Sequence, residues 1–270
     1  MMQLSGLFIH PLKSGRAIAC SEAVVTEQGL RGDREWLVVD QHGRFVTART
    51  HPQLLKISAT PREGGLDLQV PHQVAYSVSV LALSQPLQTT VWKDVFAAWT
   101  GDAQADAYLS AWLGEAVRLV WMGPEGQGAR RQKRSTDAGL SFADGYPFLL
   151  IGEGSLAALN QALETPVTMR HFRPNLVISG AEAYAEDHWH RIRIGDVEFE
   201  SKGHCTRCIL TTIDPDRAEP DANREPLMTL TRLRRFKEGV CFGQNLVALN
   251  SGRLAVGMPV EVLSVVEAAG

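Results

Sequence analysis

Alternating apolar and polar residues dominate the first hundred positions of the chain. Segments 66–70 and 74–80 place an apolar side chain at every second residue, which is the period of a strand with one buried face. Turn-forming pairs, Gly64-Gly65 and Pro71-His72, bound these segments. The pattern predicts a mainly antiparallel barrel or sandwich in this part of the chain.

A helical period replaces the alternation just after residue 101. Asp102 is a favourable N-cap residue, and Gly114 is a favourable residue for ending a helix. Between them, one helical face carries the apolar residues Ala105, Leu109, Trp112 and Leu113. The pattern predicts a helix whose role is packing.

Short strands and short helices alternate in the second half. Leu156, Leu159 and Leu163 share a face and predict a helix from about Ser155 to Leu163, and Pro226 is expected to open another. Strands are predicted at 117–121, 176–179, 197–200 and 259–265. The segment 123–135 is Gly-rich and then basic, which predicts an exposed loop near a domain boundary.

Composition narrows the class of protein. The chain has 270 residues, 44% of them hydrophobic, which suffices for one large or two ordinary domains. A net charge of −3 gives no basic field, so no nucleic-acid polymer is expected as a partner. No apolar run approaches the ~20 residues of a membrane helix and no export signal is visible, so no membrane partner is expected. Four scattered cysteines agree with a reducing compartment, and a cytoplasmic location is expected.

The segment His204-Cys205-Thr206-Arg207-Cys208 carries the clearest reactive chemistry. A guanidinium beside a thiol favours the thiolate, which attacks electrophiles and ligates metals, so one of the two cysteines is expected to be functional. The β-branched run 209–213 predicts a strand after the motif, whereas a thioredoxin-type pair opens a helix. A zinc site is a further interpretation, with His204 and Cys241 as additional ligands. Spacing alone leaves these interpretations open.

Seven segments carry a resemblance to a known family. Four resemble a MOSC domain: FADGYPFLL (142–150), FRPNLVISG (172–180), CTRCILTTIDPD (205–216) and FGQNL (242–246). Three are similar to the β-barrel domain that precedes MOSC in the amidoxime-reducing branch: FIHPLKS (8–14), GLRGDREW (29–36) and FVTART (45–50). The resemblance spans residues 3 to 265. It implies a mainly β (α+β) fold, in which an N-terminal β-barrel-like domain (1–122) packs on a MOSC β-barrel domain (123–270) with a few short helices.

The resemblance also implies a molybdenum cofactor (Mo-molybdopterin) at the interface of the two domains. Cys208 is the implied catalytic metal ligand, and a thiolate is a soft ligand that suits this metal. Cys205 is expected to be a small buried residue instead. Some relatives have small hydroxyl residues at the place of Gly145-Tyr146, so the contacts that those hydroxyls make are expected to be replaced by the Tyr146 phenol or lost. The implied cofactor-binding residues are Lys13, Ser14, Arg34, Asp144, Gly145, Tyr146, Arg173, Asn175, Thr206 and Arg207.

The implied reaction is the two-electron reduction of N-hydroxylated small molecules at molybdenum: hydroxylamines, amidoximes and N-hydroxylated nucleobases. Some bacterial relatives append a two-iron ferredoxin domain, whose cysteines this sequence lacks. Electrons are therefore expected from a separate ferredoxin- or flavin-type donor protein. The basic cluster of Arg130, Arg131, Lys133 and Arg134 is its expected docking site.

A second function class stays open at this stage. Cys208 is also consistent with a molybdenum-cofactor carrier or with a cysteine-persulfide sulfur-transfer protein, although carrier versions lack the N-terminal barrel. Nicotinamide, ATP and serine-hydrolase chemistry are disfavoured, because the sequence has no dinucleotide fingerprint, Walker loop or Gly-x-Ser-x-Gly elbow.

Overall fold

The computed structural model describes residues 1–92, 94–123, 131–132 and 139–266. The basic cluster predicted to dock a donor lies outside the described residues, except that the backbone of Arg131 forms part of a two-residue strand. Within these ranges the chain is mostly strand with three α-helices, so the predicted fold class is confirmed. None of the described helices is long and apolar enough to cross a membrane.

The strands and helices of the described residues have the following bounds. The strands are β1 (Gln3–Ile9), β2 (Ile18–Ala19), β3 (Glu22–Thr26), β4 (Gly29–Leu30), β5 (Trp36–Asp40), β6 (Ser58–Arg62), β7 (Gly65–Gln69), β8 (Tyr76–Ser79), β9 (Gln85–Val91), β10 (Asp94–Thr100), β11 (Val117–Trp121), β12 (Arg131–Gln132), β13 (Gly139–Leu140), β14 (Phe148–Gly152), β15 (Leu176–Ser179), β16 (Trp189–Ile194), β17 (Val197–Thr206), β18 (Arg235–Phe236), β19 (Gly239–Ala248), β20 (Gly252–Ala255) and β21 (Val260–Val265). The α-helices are α1 (Ala103–Leu113), α2 (Glu153–Gln161) and α3 (Leu227–Leu233), and the 3-10 helices are Pro52–Lys56, Val80–Ala82, Met169–His171, Ala185–His188 and Ile209–Thr212.

A large mixed sheet organises the molecule and joins the two ends of the chain. Its strand order is β2-β1-β15-β14-β19-β17-β16-β21, with β18 paired to β19. β1 pairs antiparallel with β15, so Leu7 lies opposite Leu176. β14 and β15 are parallel. The first strand therefore belongs to the sheet of the second half, and the domain boundary at residue 122 stays a prediction.

The predicted antiparallel hairpins of the first half are present. β6, β7 and β8 form a meander in which Leu66, Leu68 and Val78 are fully buried. A second sheet has the order β5-β11-β10-β9. The meander buries one face, as the alternating pattern requires, whereas β5 of the second sheet is buried on both faces, with Trp36 and Val38 in one core cluster and Leu37 and Val39 in another.

Helix α1 begins and ends where the sequence predicted. The Asp102 carboxylate accepts hydrogen bonds from the backbone N–H groups of Gln104 (3.1 Å) and Ala105 (3.0 Å). Gly114 ends the helix in the left-handed conformation with φ 76°, which glycine adopts without a steric cost. Two local signals thus place this element correctly.

Removing the Asp102 cap is expected to destabilise the fold measurably. The carboxylate also accepts a hydrogen bond from the Tyr76 hydroxyl at 2.9 Å, so Asp102→Ala removes a helix cap and a link to β8. We expect the free energy of unfolding to fall by about 1–2 kcal/mol, measured by urea denaturation. Asp102→Asn is the matched control, because it retains a capping oxygen and should lose less. Equal stability of the alanine variant and the parent would contradict this role.

The prediction of a strand at 209–213 is wrong, because Ile209–Thr212 forms a 3-10 helix. The Thr211 backbone N–H (3.1 Å) and hydroxyl (2.9 Å) both donate to the Cys208 carbonyl oxygen. The Thr212 hydroxyl donates to the Ile209 carbonyl at 2.8 Å. Hydroxyl bonds of this kind compete with strand pairing. Strand β17 instead runs to Thr206, so the cysteine motif lies at the end of a strand.

Candidate functional site

A polar cleft lies at one end of the strands of the large sheet. β1 ends at Ile9 and leads into the loop that holds Lys13. The parallel strands β14 and β15 begin at the same end of the sheet, just after segments 144–146 and 173–175. Because β1 runs antiparallel to β15, the residues that follow β1 are neighbours of those that precede β15. Pairing of the sheet therefore gathers distant motifs at one place.

Every residue that the sequence analysis assigned to the site lines this cleft. These residues are Lys13, Ser14, Arg34, Asp144, Gly145, Tyr146, Arg173, Asn175, Thr206, Arg207 and Cys208. They come from both halves of the chain. The structure brings them together, while the part that each takes in binding stays a prediction.

Arg34 is held in the cleft wall by a buried carboxylate. Its backbone is left-handed, with φ 54°, and its guanidinium forms an ion pair with Asp33, which is 2% exposed. It also donates to the Asn175 side-chain oxygen (3.2 Å) and to the Arg173 carbonyl oxygen (3.2 Å). Burial raises the pKa of Asp33, but Arg34 and His10 overcome this effect and hold it at about 2. Asp33 is therefore ionised and fixes the direction of the Arg34 side chain.

Arg173 is a second, partly buried cation of the cleft and has an unused donor. Its backbone is also left-handed, with φ 56°, and its Nη1 donates to the Gly15 carbonyl oxygen at 2.6 Å. Its Nη2 is buried and has no hydrogen-bond partner within the described part of the chain. Burial and then the nearby Arg34 lower the pKa of Arg173 to about 9. Two close guanidinium groups with a spare N–H favour an anion.

His10 adds no positive charge to this group. Its ring is fully buried beside Asp33, with Nδ1 3.5 Å from the carboxylate oxygen. Burial, followed by Arg173 and Arg34, lowers the pKa of His10 to about 3. The imidazole is therefore neutral near pH 7, and Arg34 and Arg173 supply the positive charge of this group.

Asn175 acts as a crosslink between the sheet and Arg34. Its side-chain oxygen accepts from the Leu149 backbone N–H (3.2 Å) as well as from Arg34, and its amide nitrogen donates to the Phe8 carbonyl oxygen (3.2 Å). The residue is 1% exposed. The amide is engaged on both sides, so its geometry positions the arginine.

Lys13 and Asp144 form an ion pair at another part of the cleft. Lys13 Nζ donates to the Asp144 carboxylate (2.7 Å) and to the Phe142 carbonyl oxygen (2.7 Å). Burial lowers the pKa of Lys13. Burial alone raises the pKa of Asp144, but Lys13 outweighs it and holds this pKa well below its ordinary value. Ser14 follows in a left-handed conformation, φ 66°, and is buried.

The two cysteines of the motif differ in their surroundings. Cys208 is an exposed free thiol on the cleft wall. Arg207 donates instead to the Cys205 sulfur at 3.0 Å, and its other terminal nitrogen donates to the Phe172 carbonyl oxygen at 2.7 Å. Cys205 is partly buried, packs against the apolar cluster that contains Phe172, and also lines the cleft, so the expected apolar packing is present and the expected full burial is not. The arginine holds this sulfur at the surface of the site.

The ligands of the zinc interpretation do not come together. Within the described ranges, no group of three or more His, Cys, Asp or Glu residues is arranged to hold a metal ion. The His204 ring stacks on Phe236 with centroids 4.1 Å apart. Cys241 is fully buried, and burial raises its pKa to about 11. The geometry therefore does not favour a zinc site built on this motif.

Sequence reasoning missed several side chains of the cleft. Thr47, Arg49 and Asn245 also line it. All three lie in segments that carry the family resemblance, FVTART and FGQNL. That position was the available signal, because nothing in local spacing distinguishes Arg49 from a solvated arginine.

Comparisons with known proteins agree with the two-part resemblance. The family described as MOSC N-terminal beta barrel domain matches residues 1–116, and the MOSC domain family matches residues 137–261. The chain is 37% identical to mitochondrial amidoxime-reducing component 1 of Homo sapiens over an alignment of 281 positions, which covers 95% of this chain and 82% of the relative. It is 36% identical to the Mus musculus protein of the same name, over 95% and 81% of the two chains. Mitochondrial amidoxime reducing component 2 of Homo sapiens is 33% identical, over 94% and 81%.

Proposed function

The chain belongs to the family of MOSC proteins that carry an N-terminal MOSC β-barrel domain, and from this membership we propose that it is a molybdenum-cofactor-dependent reductase of N-hydroxylated compounds. Hydroxylamines, amidoximes and N-hydroxylated nucleobases are the proposed substrates. One observation carries the proposal. The exposed thiol of Cys208 and the partly buried guanidinium groups of Arg34 and Arg173 line one cleft.

The chemistry of the cleft fits this cofactor. Its pterin carries a phosphate, and Arg173 Nη2 and Arg207 Nε are buried nitrogens without a hydrogen-bond partner in the described residues. Unpaired buried donors carry a free-energy cost that a bound anion removes. Cys208 offers the soft sulfur ligand that such a metal requires. Hydrogen-bond donors for the phosphate and a sulfur ligand for the metal therefore occur in the same site.

Each side chain has a proposed task in holding the cofactor. Arg34 and Arg173 bind the phosphate, while Asp33 and Asn175 fix the direction of Arg34. Lys13 and Ser14, together with residues 144–146 and 206–207, surround the pterin, and Cys208 ligates molybdenum. When bound, the cofactor supplies the two-electron redox chemistry that removes the N-hydroxyl oxygen as water. The protein contributes binding, orientation and charge.

Electron delivery is assigned to a separate ferredoxin- or flavin-type protein. The basic residues 130, 131, 133 and 134 are the proposed docking site, because acidic electron carriers associate with positive patches through steered encounters. The curated relatives are named mitochondrial, whereas the cytoplasmic location of this chain rests on its sequence alone and stays a proposal.

The proposed function is tested with protein from a cofactor-producing host. We expect bound molybdenum and reduction of benzamidoxime by reduced methyl viologen, at a rate that scales with molybdenum per chain among preparations. Protein from a host that lacks cofactor synthesis is the control and should be inactive. Molybdenum-loaded protein that reduces no N-hydroxylated compound would instead support the carrier or sulfur-transfer alternative.

A further inference from the structure

Trp92 lies at the rim of the cleft, outside the set of residues discussed above. Its indole N–H donates to the Asp144 carboxylate at 2.9 Å, and Asp144 lines the cleft. Trp92 is nevertheless 50% exposed. A large aromatic side chain that is half in water gains only part of the free energy of burial. Burial alone therefore does not account for its position.

Two further groups fix the orientation of the indole ring. The Arg49 guanidinium lies over the ring, 4.3 Å from its centroid, and Arg49 also lines the cleft. Phe45 packs against the ring at 61°, with centroids 5.3 Å apart. Together with the bond to Asp144, these contacts hold the ring while half of the residue stays open to solvent. An immobilised and open aromatic surface loses little entropy when it binds a ligand.

Trp92 also begins the hairpin turn between β9 and β10, in which Val91 pairs with Asp94. Its φ is 59°, the left-handed value that the first residue of a two-residue hairpin turn adopts. The hairpin therefore accounts for this backbone conformation, and the three side-chain contacts fix the indole at the cleft rim.

We propose that Trp92, backed by Arg49 and Phe45, is a stacking subsite for the planar, conjugated part of the substrate. The substrates it favours are aryl or nucleobase compounds that carry the N-hydroxyl group, and small aliphatic ones gain nothing from it. Stacking of a base on an aromatic side chain suits any planar ring. This inference rests on the proposed function for its substrate class, and the ring-binding step itself is testable without turnover.

The first experiment compares two substrates with an artificial electron donor. Trp92→Ala is expected to lower kcat/KM for benzamidoxime about tenfold, a loss within the range for removal of one stacking residue, and to leave kcat/KM for acetamidoxime nearly unchanged. Trp92→Phe should retain most of the preference, which guards against a folding defect in the alanine variant. Leu81→Ala is the control, because Leu81 is 88% exposed and does not line the cleft. An unchanged ratio of the two substrates in Trp92→Ala would overturn the proposal.

The second experiment needs no catalysis. Protein labelled with 5-fluorotryptophan gives a ¹⁹F resonance for residue 92, assigned by its loss in Trp92→Phe. Adenine, a planar ring without the N-hydroxyl group, is expected to shift this resonance in a saturable manner. If adenine shifts it while no N-hydroxylated compound is reduced, the subsite stands and the proposed reaction fails. If the enzyme is active and adenine leaves the resonance unmoved, the subsite is wrong.

Discussion

Cys208→Ser is expected to reduce molybdenum-dependent turnover to background, whereas Cys205→Ser should retain much of it. Cys208 is the exposed thiol of the cleft, and a serine hydroxyl is a hard ligand that does not replace a soft thiolate. At position 205, a serine oxygen still accepts the hydrogen bond from Arg207, and Arg207 keeps its second bond to the Phe172 carbonyl oxygen. Molybdenum per chain and benzamidoxime reduction are measured on both variants.

The matched pair separates the metal ligand from its neighbour, because the two residues lie three positions apart in the same motif. Equal loss of activity in both variants, accompanied by bound zinc in the parent, would reject the molybdenum assignment. Full activity of Cys208→Ser would reject this residue as the ligand while leaving the family membership intact.

Arg173→Ala is expected to weaken cofactor binding by roughly ten- to a hundredfold. A hydrogen bond to a charged group contributes about 1.5–3 kcal/mol, and 1.4 kcal/mol corresponds to a tenfold change in affinity. The variant loses the bond from Arg173 Nη1 to the Gly15 carbonyl oxygen, but Nη2 has no partner to lose in the described residues. Cofactor occupancy is measured as released pterin and as molybdenum per chain.

Arg34→Ala is expected to lower occupancy as well, with a cost in stability. Its removal leaves the Asp33 carboxylate buried without its main counter-charge, which is strongly destabilising. Thermal unfolding of both variants separates lost binding from lost folding. Arg253→Ala is the control, because its side chain is 72% exposed and is paired only loosely with Glu22, at 3.6 Å. Occupancy equal to the control in both cleft variants would reject a phosphate at this position.

Local signals predicted the local structure well. Asp102 and Gly114 bound α1 as their capping preferences require, and the alternation in 66–70 matches β7. The strand prediction for 209–213 failed because a short β-branched run does not by itself determine a strand. Here the Thr211 and Thr212 hydroxyls donate to nearby carbonyl oxygens and favour a 3-10 helix. Strand propensity does not determine the structure where side chains form hydrogen bonds with nearby backbone groups.

The site was predictable only through the family resemblance. Motifs named eleven of the residues that line the cleft, but no spacing rule predicts that the loop after β1 lies beside residue 173. The sequence also does not show which side chains of the cleft contact each other. Arg207 stands next to Cys208 in the chain, yet its guanidinium holds Cys205. Asn175 and Asp33 position Arg34 through contacts that span the fold, and such contacts leave no local pattern.

The pairing of β1 with β15 bears on how the chain is made. Leu7 lies opposite Leu176, so at synthesis rates of about 5–20 residues per second the first strand waits roughly 10 to 30 s for its partner to leave the ribosome. During that time an apolar segment, with Leu4 and Leu7 destined for the core, lacks its β15 partner, although Phe8 and Ile9 at its end can already pair with β2. Such exposed strands invite aggregation. The pairing of β1 with β15 in the large sheet can therefore form only late in translation. Until then we expect the growing chain to need a chaperone.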